Sequence, residues 1–214
     1  MSGVADVVPW RTFRWRDGQQ HFSGTYWSAT VSGHVIYESR LELARLLLAD
    51  LERSVKHIVA QPFMLHTVVG GKVRRHIPDY LLFTEGCPVV VHVKPRVRLP
   101  KPAVRSTFAW TRELVEGLRW RYEVASQPDP VVLENIRFLA GYRRAWLFPA
   151  ALLEVLRGGE VDGLRFGAAC SQVRDWPASL VRAAILHLMW TQHFQVNIER
   201  RLDSGLALAG RAAA

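Results

Sequence analysis

Two short motifs carry the residue types that phosphodiester chemistry requires. The first is Ile77-Pro78-Asp79-Tyr80, and the second is Val91-His92-Val93-Lys94-Pro95. On neighbouring strands, Asp79 would approach Lys94, and His92 would share the face of Lys94, because side chains two residues apart leave a strand on the same side. A carboxylate holds Mg²⁺ through oxygen, and the ion lowers the pKa of its bound water. A nearby lysine orients the hydroxide or balances charge on phosphorus.

A further carboxylate is expected from the preceding helix. Apolar residues recur at a spacing of three and four between residues 38 and 51, which predicts a helix with one apolar face. Ser39 and Glu42 have the spacing of a capping box at its start. Glu42 is the natural donor of this carboxylate, with Glu38 in reserve. Singly, an Asp after Pro can merely stabilise a turn and a strand-ending Lys can keep an edge soluble; their combined order favours a nuclease site.

The surrounding pattern predicts an α/β fold, a mixed sheet flanked by helices. A Gly70-Gly71 hairpin turn and a nearly pure valine run before Lys94 indicate paired strands, the valine run being typical of a central strand. The expected strands cover residues 12–15, 21–28, 55–59, 63–69, 73–83, 88–93 and, as a short edge strand, 122–126. The expected helices of this part cover residues 38–51, 103–122 and 130–142.

After Arg143-Arg144 the pattern changes to helices alone. Helices are predicted over 147–156, 164–173 and 177–193, followed by alternating residues from 194 to 199, a turn at 203–205 and a strand over 206–208. Three helices and a hairpin outline a winged helix. The predicted domains are therefore 1–144 for the sheet domain and 145–214 for a small, winged-helix-like domain.

The composition favours a nucleic-acid partner. The net charge is +9 and the pI is near 10.2, so the surface attracts polyanions. No apolar run is long enough to span a membrane and no signal peptide is recognisable, so we expect a cytoplasmic protein with reduced Cys87 and Cys170. Expected phosphate contacts, if they are not simply a solvated basic surface, are Arg74, Arg75, Arg96, Arg98, Lys101 and Arg105. The spacing of His57, His66 and His76 matches no structural zinc pattern.

The motifs also resemble a known family. Tyr37-Glu38-Ser39-Arg40-Leu41-Glu42, Gln61-Pro62-Phe63, His76-Ile77-Pro78-Asp79-Tyr80 and Val91-His92-Val93-Lys94-Pro95 are similar to TnsA-type endonuclease subunits of heteromeric transposases, within the PD-(D/E)xK restriction-endonuclease-like superfamily. The likeness covers roughly residues 37 to 142. It implies metal-dependent hydrolysis of double-stranded DNA at the 5′ transposon ends, beside a DDE-type transposase and an AAA+ ATPase.

The resemblance also implies roles for individual residues. Glu42 and Asp79 would bind Mg²⁺ or Mn²⁺, Lys94 would be the catalytic lysine, and His92 would occupy the remaining metal-site position. The superfamily prefers a carboxylate at that position and TnsA tolerates an amide, whereas imidazole is a poor Mg²⁺ ligand and suits Mn²⁺ better. Two alternatives stay open: a stand-alone restriction or repair nuclease of this fold, and a catalytically weakened DNA-binding assembly module.

Overall fold

The computed structural model describes residues 22–210, so the strand expected at 12–15 lies outside the described part. The chain is mixed α/β, with a mixed four-stranded sheet and six α-helices among the described residues. It separates into two compact units, the first ending at Gln127 and the second beginning at Pro128. The helix beginning at Pro130, which the sequence placed in the first domain, packs against a helix of the second unit.

The elements follow the sequence in a simple order. The strands of the first unit are β1 (Gly24–Ser28), β2 (Gly33–Tyr37), β3 (Val55–Ala60), β4 (Leu65–Val69), β5 (Lys72–His76), β6 (Tyr80–Thr84), β7 (Val89–Val93) and β8 (Arg121–Ala125). Its helices are α1 (Arg40–Leu51) and α2 (Pro102–Gly117). The second unit contains α3 (Pro130–Ala140), α4 (Ala150–Arg157), α5 (Phe166–Gln172), α6 (Ala178–Trp190), β9 (Phe194–Gln195) and β10 (Ala209–Gly210).

The main sheet has the order β3-β6-β7-β8. Strand β6 is antiparallel to both β3 and β7, and β8 is parallel to β7. All five residues of β7 are buried, which confirms the central strand predicted from the valine run. Strand β8 lies at the edge, as predicted, and α2 ends at Gly117 rather than continuing to residue 122.

The return from the Gly70-Gly71 turn is two strands, where a single strand over 73–83 was expected. Both glycines have positive φ, 57° and 74°, which suits a tight two-residue hairpin turn between β4 and β5. Residues 77–79 then separate β5 from β6, because Pro78 has no N–H to donate to a ladder. Asp79 consequently lies immediately before the first residue of β6.

Helix α1 begins with the predicted capping box and ends on a buried carboxylate. Ser39 Oγ accepts the N–H of Glu42, and Ser39 is the N-cap. At the other end Asp50 accepts the hydroxyls of Tyr26 and Ser28 and the backbone N–H groups of Ala29 and Thr30. The β1–β2 hairpin is therefore tied to the helix by a satisfied polar network.

The second unit is built around α6, where every residue from Ala184 to Trp190 is buried. The predicted strand over 206–208 is an irregular segment, with one isolated bridge from Ala207 to Arg165. The paired strands, β9 and β10, are two residues each. No helix between residues 22 and 210 is long and apolar enough to cross a bilayer.

Candidate active site

Asp79 is held between two strands by its backbone and side chain. Its N–H donates to the carbonyl of Val91 at 3.1 Å, and its own carbonyl accepts the N–H of Gln61 at 2.9 Å. Carboxylate oxygen Oδ2 accepts the N–H of Val93 at 2.6 Å. The carboxylate is therefore anchored to the strand that leads into Lys94, as the hairpin prediction requires.

The backbone of Lys94 is fixed where β7 ends. Its N–H donates to the carbonyl of Ala125 at 2.9 Å, and its carbonyl accepts the Ser126 hydroxyl at 2.7 Å. These bonds extend the parallel pairing with β8 beyond the last strand residue. The lysine is half-buried and lines both cavities described next.

The predicted site residues meet at two adjoining cavities of about 310 and 320 Å³. Four residues line both cavities: Glu38, Asp79, His92 and Lys94. The first cavity is also lined by Gln61, Met64, Arg75, His76, Ile77 and Pro78. The second is also lined by Ser39, Leu41, Glu42, Val93, Pro95 and Arg98. Residues of α1, β5 and β7 thus converge on one region of the surface, together with Gln61, just after β3, and Asp79, just before β6.

Glu42 reaches this region from the first turn of α1. Its Oε1 accepts the Ser39 hydroxyl at 2.9 Å and its Oε2 accepts the Glu38 N–H at 2.7 Å. These bonds hold the carboxylate at the start of the helix, and Glu42 lines the second cavity. The helix is clamped to the sheet one turn later, where Arg45 binds Glu123 of β8.

The electrostatics couple Asp79 to Glu42. Burial, and after it the charge of Glu42, raise the pKa of Asp79 to about 7 in spite of the opposing effects of the Val93 hydrogen bond and of Lys94. The Asp79 side chain nevertheless keeps 22% of its surface exposed. A bound cation would favour the ionised form of a carboxylate whose pKa is raised in this way.

His92 is neutral and enclosed by aromatic rings. Only 5% of the residue is exposed, and its ring lies 4.5 Å from that of His76 and 4.7 Å from that of Phe108, centroid to centroid. Burial, then His76 and Lys94, lower its pKa to about 3. Its Nδ1 is 3.6 Å from Asp79 Oδ2, and neither ring nitrogen has a hydrogen-bond partner within the described residues.

The donor chemistry fits a hard divalent cation at Asp79 and Glu42. Both supply oxygen, and Asp79 is destabilised as an anion by burial and by its neighbour. Among residues 22–210, no group of three or more His, Cys, Asp and Glu side chains is already arranged to hold a metal. Mg²⁺ is commonly held by one or two carboxylates, with water and substrate phosphate completing its shell.

The predicted DNA-contacting residues divide into two sets. Arg75 lines the first cavity and Arg98 the second. The other four are exposed and line neither cavity: Arg74, Arg96, Lys101 and Arg105. Arg96 donates its N–H to the Gln127 side chain and its guanidinium to the Gln127 carbonyl.

Two cavity residues had no assigned role in the sequence analysis. Both residues appeared there within the motifs that carry the resemblance, and His76 also as a rejected zinc ligand, but neither was predicted to act at the site. Nothing in the spacing of Gln61 indicates that it lies beside Asp79, because that contact depends on β3 pairing with β6 rather than on a local period. A backbone signal exists only in the structure: Gln61 has a φ of +47°.

No protein-family model matches the chain, and no curated protein is significantly similar to it in sequence. The function is therefore inferred from the residues and from their geometry.

Proposed function

We propose that the chain is a metal-dependent DNA endonuclease of the restriction-endonuclease-like type, acting as the TnsA-like subunit of a heteromeric transposase. Its reaction would be hydrolysis of the phosphodiester at the 5′ transposon ends. One observation carries this proposal: Asp79, Lys94, His92 and Glu38 line both of two adjoining cavities, and Glu42 lines one of them. Along the chain these residues follow the order helix carboxylate, Pro-Asp, apolar strand and Lys, which is the order of the motifs that resemble TnsA-type subunits.

Three of these residues, Asp79, Glu42 and Lys94, have a definite chemical role in this proposal. Asp79 and Glu42 would hold Mg²⁺ or Mn²⁺, which when bound lowers the pKa of water and neutralises charge on the phosphate. Lys94 would place its ammonium beside the phosphate, where it stabilises charge that builds in the transition state. The Val93 hydrogen bond holds Asp79 in place before DNA arrives, so little reorganisation is needed.

DNA would approach through the basic residues around the cavities. Arg75 and Arg98 are the nearest candidates for phosphate contacts, while Arg74, Arg96, Lys101 and Arg105 would meet the backbone farther away. The C-terminal part, residues 145–214 in the predicted division, would be a winged-helix-like docking module. The partners would be a DDE-type transposase and an AAA+ ATPase, and the protein would act in the cytoplasm.

Nicking of supercoiled plasmid carrying transposon ends tests the proposal, with the partner transposase present. Wild type should nick with Mg²⁺ or Mn²⁺, whereas Asp79→Asn and Lys94→Met should lose at least about 100-fold in rate, as expected when a charge-stabilising group is removed. Glu85→Gln is the control, since Glu85 is exposed and pairs with Lys56 away from the cavities. Wild-type rates in Asp79→Asn would refute the assignment.

Metal binding by Asp79 can also be tested without measuring cleavage. Mn²⁺ should raise the thermal midpoint of wild type, because a ligand that binds only the folded state stabilises it. Asp79→Asn should show little of this increase. An equal increase in both proteins would place the cation elsewhere.

A non-catalytic assembly module is the second candidate, and His92 is the observation that favours it. This position provides a buried imidazole instead of an oxygen donor. Tight, metal-independent DNA binding with no cleavage beside the partner proteins would support that role. A stand-alone restriction or repair nuclease would be distinguished by its neighbouring genes, a methyltransferase favouring restriction.

A further inference from the structure

Gln61 adopts a backbone conformation that glutamine rarely occupies. Its φ is +47°, in the left-handed region, and the next residue is proline, which normally favours an extended conformation in the residue before it. The conformation is imposed by the sheet, because the Gln61 N–H donates to the carbonyl of Asp79 at 2.9 Å. Strain of this kind persists where the surrounding structure holds it, and it clusters at functional sites.

The Gln61 side chain is buried against the candidate catalytic residues. Only 8% of the residue is exposed, and it lines the cavity of about 310 Å³ with Asp79, His92 and Lys94. Its Oε1 has no hydrogen-bond partner among the described residues. An unpaired buried acceptor is unfavourable in the folded protein, which indicates that a ligand completes it.

The unpaired atom restricts the class of ligand. Oε1 is an acceptor and takes a hydrogen-bond donor or a cation, which rules out the non-bridging oxygens of a phosphodiester and the carboxylate of Asp79. Water is a donor, and the cavity has ample room for it. A water bonded to Gln61 would lie in the same cavity as Asp79 and Lys94.

We propose that Gln61 is a catalytic residue that orients the attacking water, an inference that rests on the proposed nuclease function. The water oxygen bonds to phosphorus as the bond from phosphorus to the sugar oxygen breaks. One water proton remains on the new phosphate monoester or passes to solvent, and the departing sugar oxygen takes up the other. Gln61 accepts a hydrogen bond throughout and is itself unchanged.

Two variants separate this role from a structural one. Gln61→Met keeps the side-chain length but removes the acceptor, and Gln61→Gly removes the amide while relieving the positive φ. Both should lower the single-turnover cleavage rate at saturating DNA by roughly 100-fold, the loss expected when a reacting group is misplaced by about 1 Å. The Kd for DNA should stay within about twofold of wild type, and Gln61→Gly should be no less stable than wild type.

Ser32→Gly is the matched control. Ser32 also has a positive φ, 53°, but lies in the exposed β1–β2 turn, so the substitution should leave the cleavage rate unchanged. The proposal is overturned if Gln61→Met and Gln61→Gly cleave at wild-type rates while Asp79→Asn is inactive. It is also overturned if only the Kd changes, or if the rate falls only in step with stability. An active Asp79→Asn would instead refute the nuclease function itself.

Discussion

The guanidinium of Arg45 donates two hydrogen bonds to the carboxylate of Glu123, at 2.7 and 2.8 Å. This pair joins α1, which carries Glu42, to β8 at the edge of the sheet. Glu123 stands opposite Val91 in the β7–β8 register, one residue before His92. The clamp therefore links the helix carboxylate to the strands that hold Asp79 and Lys94.

The clamp should contribute measurably to stability. A double-mutant cycle with Arg45→Met and Glu123→Gln should give a coupling energy of about 1–2 kcal/mol in urea unfolding, because the bond is bidentate and Arg45 is only 11% exposed. The control is the Arg112–Glu116 pair, 3.9 Å apart and more than half exposed, where about 0.5 kcal/mol or less is expected. Equal coupling in the two cycles would contradict the clamp.

His92 should set the metal preference of cleavage. Because imidazole suits Mn²⁺ better than Mg²⁺, the wild-type protein should cleave faster with Mn²⁺. His92→Gln offers an amide oxygen and should raise the ratio of the Mg²⁺-supported to the Mn²⁺-supported rate by about tenfold. Phe108→Leu is the control, since it changes the packing around His92 without adding a donor. An unchanged ratio in His92→Gln would exclude position 92 from the metal site.

Replacing Arg98, which lines the second cavity, should have a different effect on cleavage from replacing Arg105, which lines neither cavity. Arg98→Ala and Arg105→Ala should each reduce the slope of log K against log salt by about 1, if each side chain contacts one phosphate. Of these two variants, Arg98→Ala should also lower the cleavage rate at saturating DNA, because Arg98, unlike Arg105, lines a cavity with Lys94. Arg53→Ala, at the exposed turn after α1, should change neither quantity. Identical effects of Arg98→Ala and Arg105→Ala would show that lining the cavity has no catalytic consequence.

The second unit should be sensitive to acid through His187. This residue is 1% exposed, its Nδ1 lies 2.8 Å from the Tyr142 carbonyl, and its ring stacks on Phe148. Burial lowers the pKa of His187 and Arg157 lowers it further, against the opposing effect of the Tyr142 hydrogen bond. The neutral His187 side chain therefore makes its full contribution to the free energy of unfolding above the unfolded-state pKa, near 6.5. That contribution is lost as the pH falls below this value toward the folded-state pKa.

Unfolding free energies measured at pH 7.5 and 5.5 test this predicted loss of stability in acid. Wild type should lose more stability on acidification than His187→Gln, which keeps a donor near the Tyr142 carbonyl but cannot take up a proton. His66→Gln is the control, because His66 is exposed on β4. Parallel losses in wild type and His187→Gln would remove His187 as the cause.

Local patterns along the chain determined much of this architecture. The valine run before Lys94 predicted a strand covered on both faces, and Ser39 with Glu42 predicted the start of α1, because these signals depend on residues close together in sequence. The grouping of Asp79 with Lys94 was also predictable, since one hairpin joins them. The split of the return strand at Pro78 was missed, although proline supplies a local reason for it.

Contacts between distant segments were decided only by the tertiary structure. The Arg45–Glu123 pair joins residues 78 positions apart, and Gln61 meets Asp79 only because β3 pairs with β6. Burial is likewise a property of the folded chain: it makes His92 neutral, and it leaves Gln61 Oε1 without a partner from residues 22–210 in the cavity that Asp79 also lines. Sequence periodicity reports which face of an element is apolar, but not which polar group of another element will lie against it.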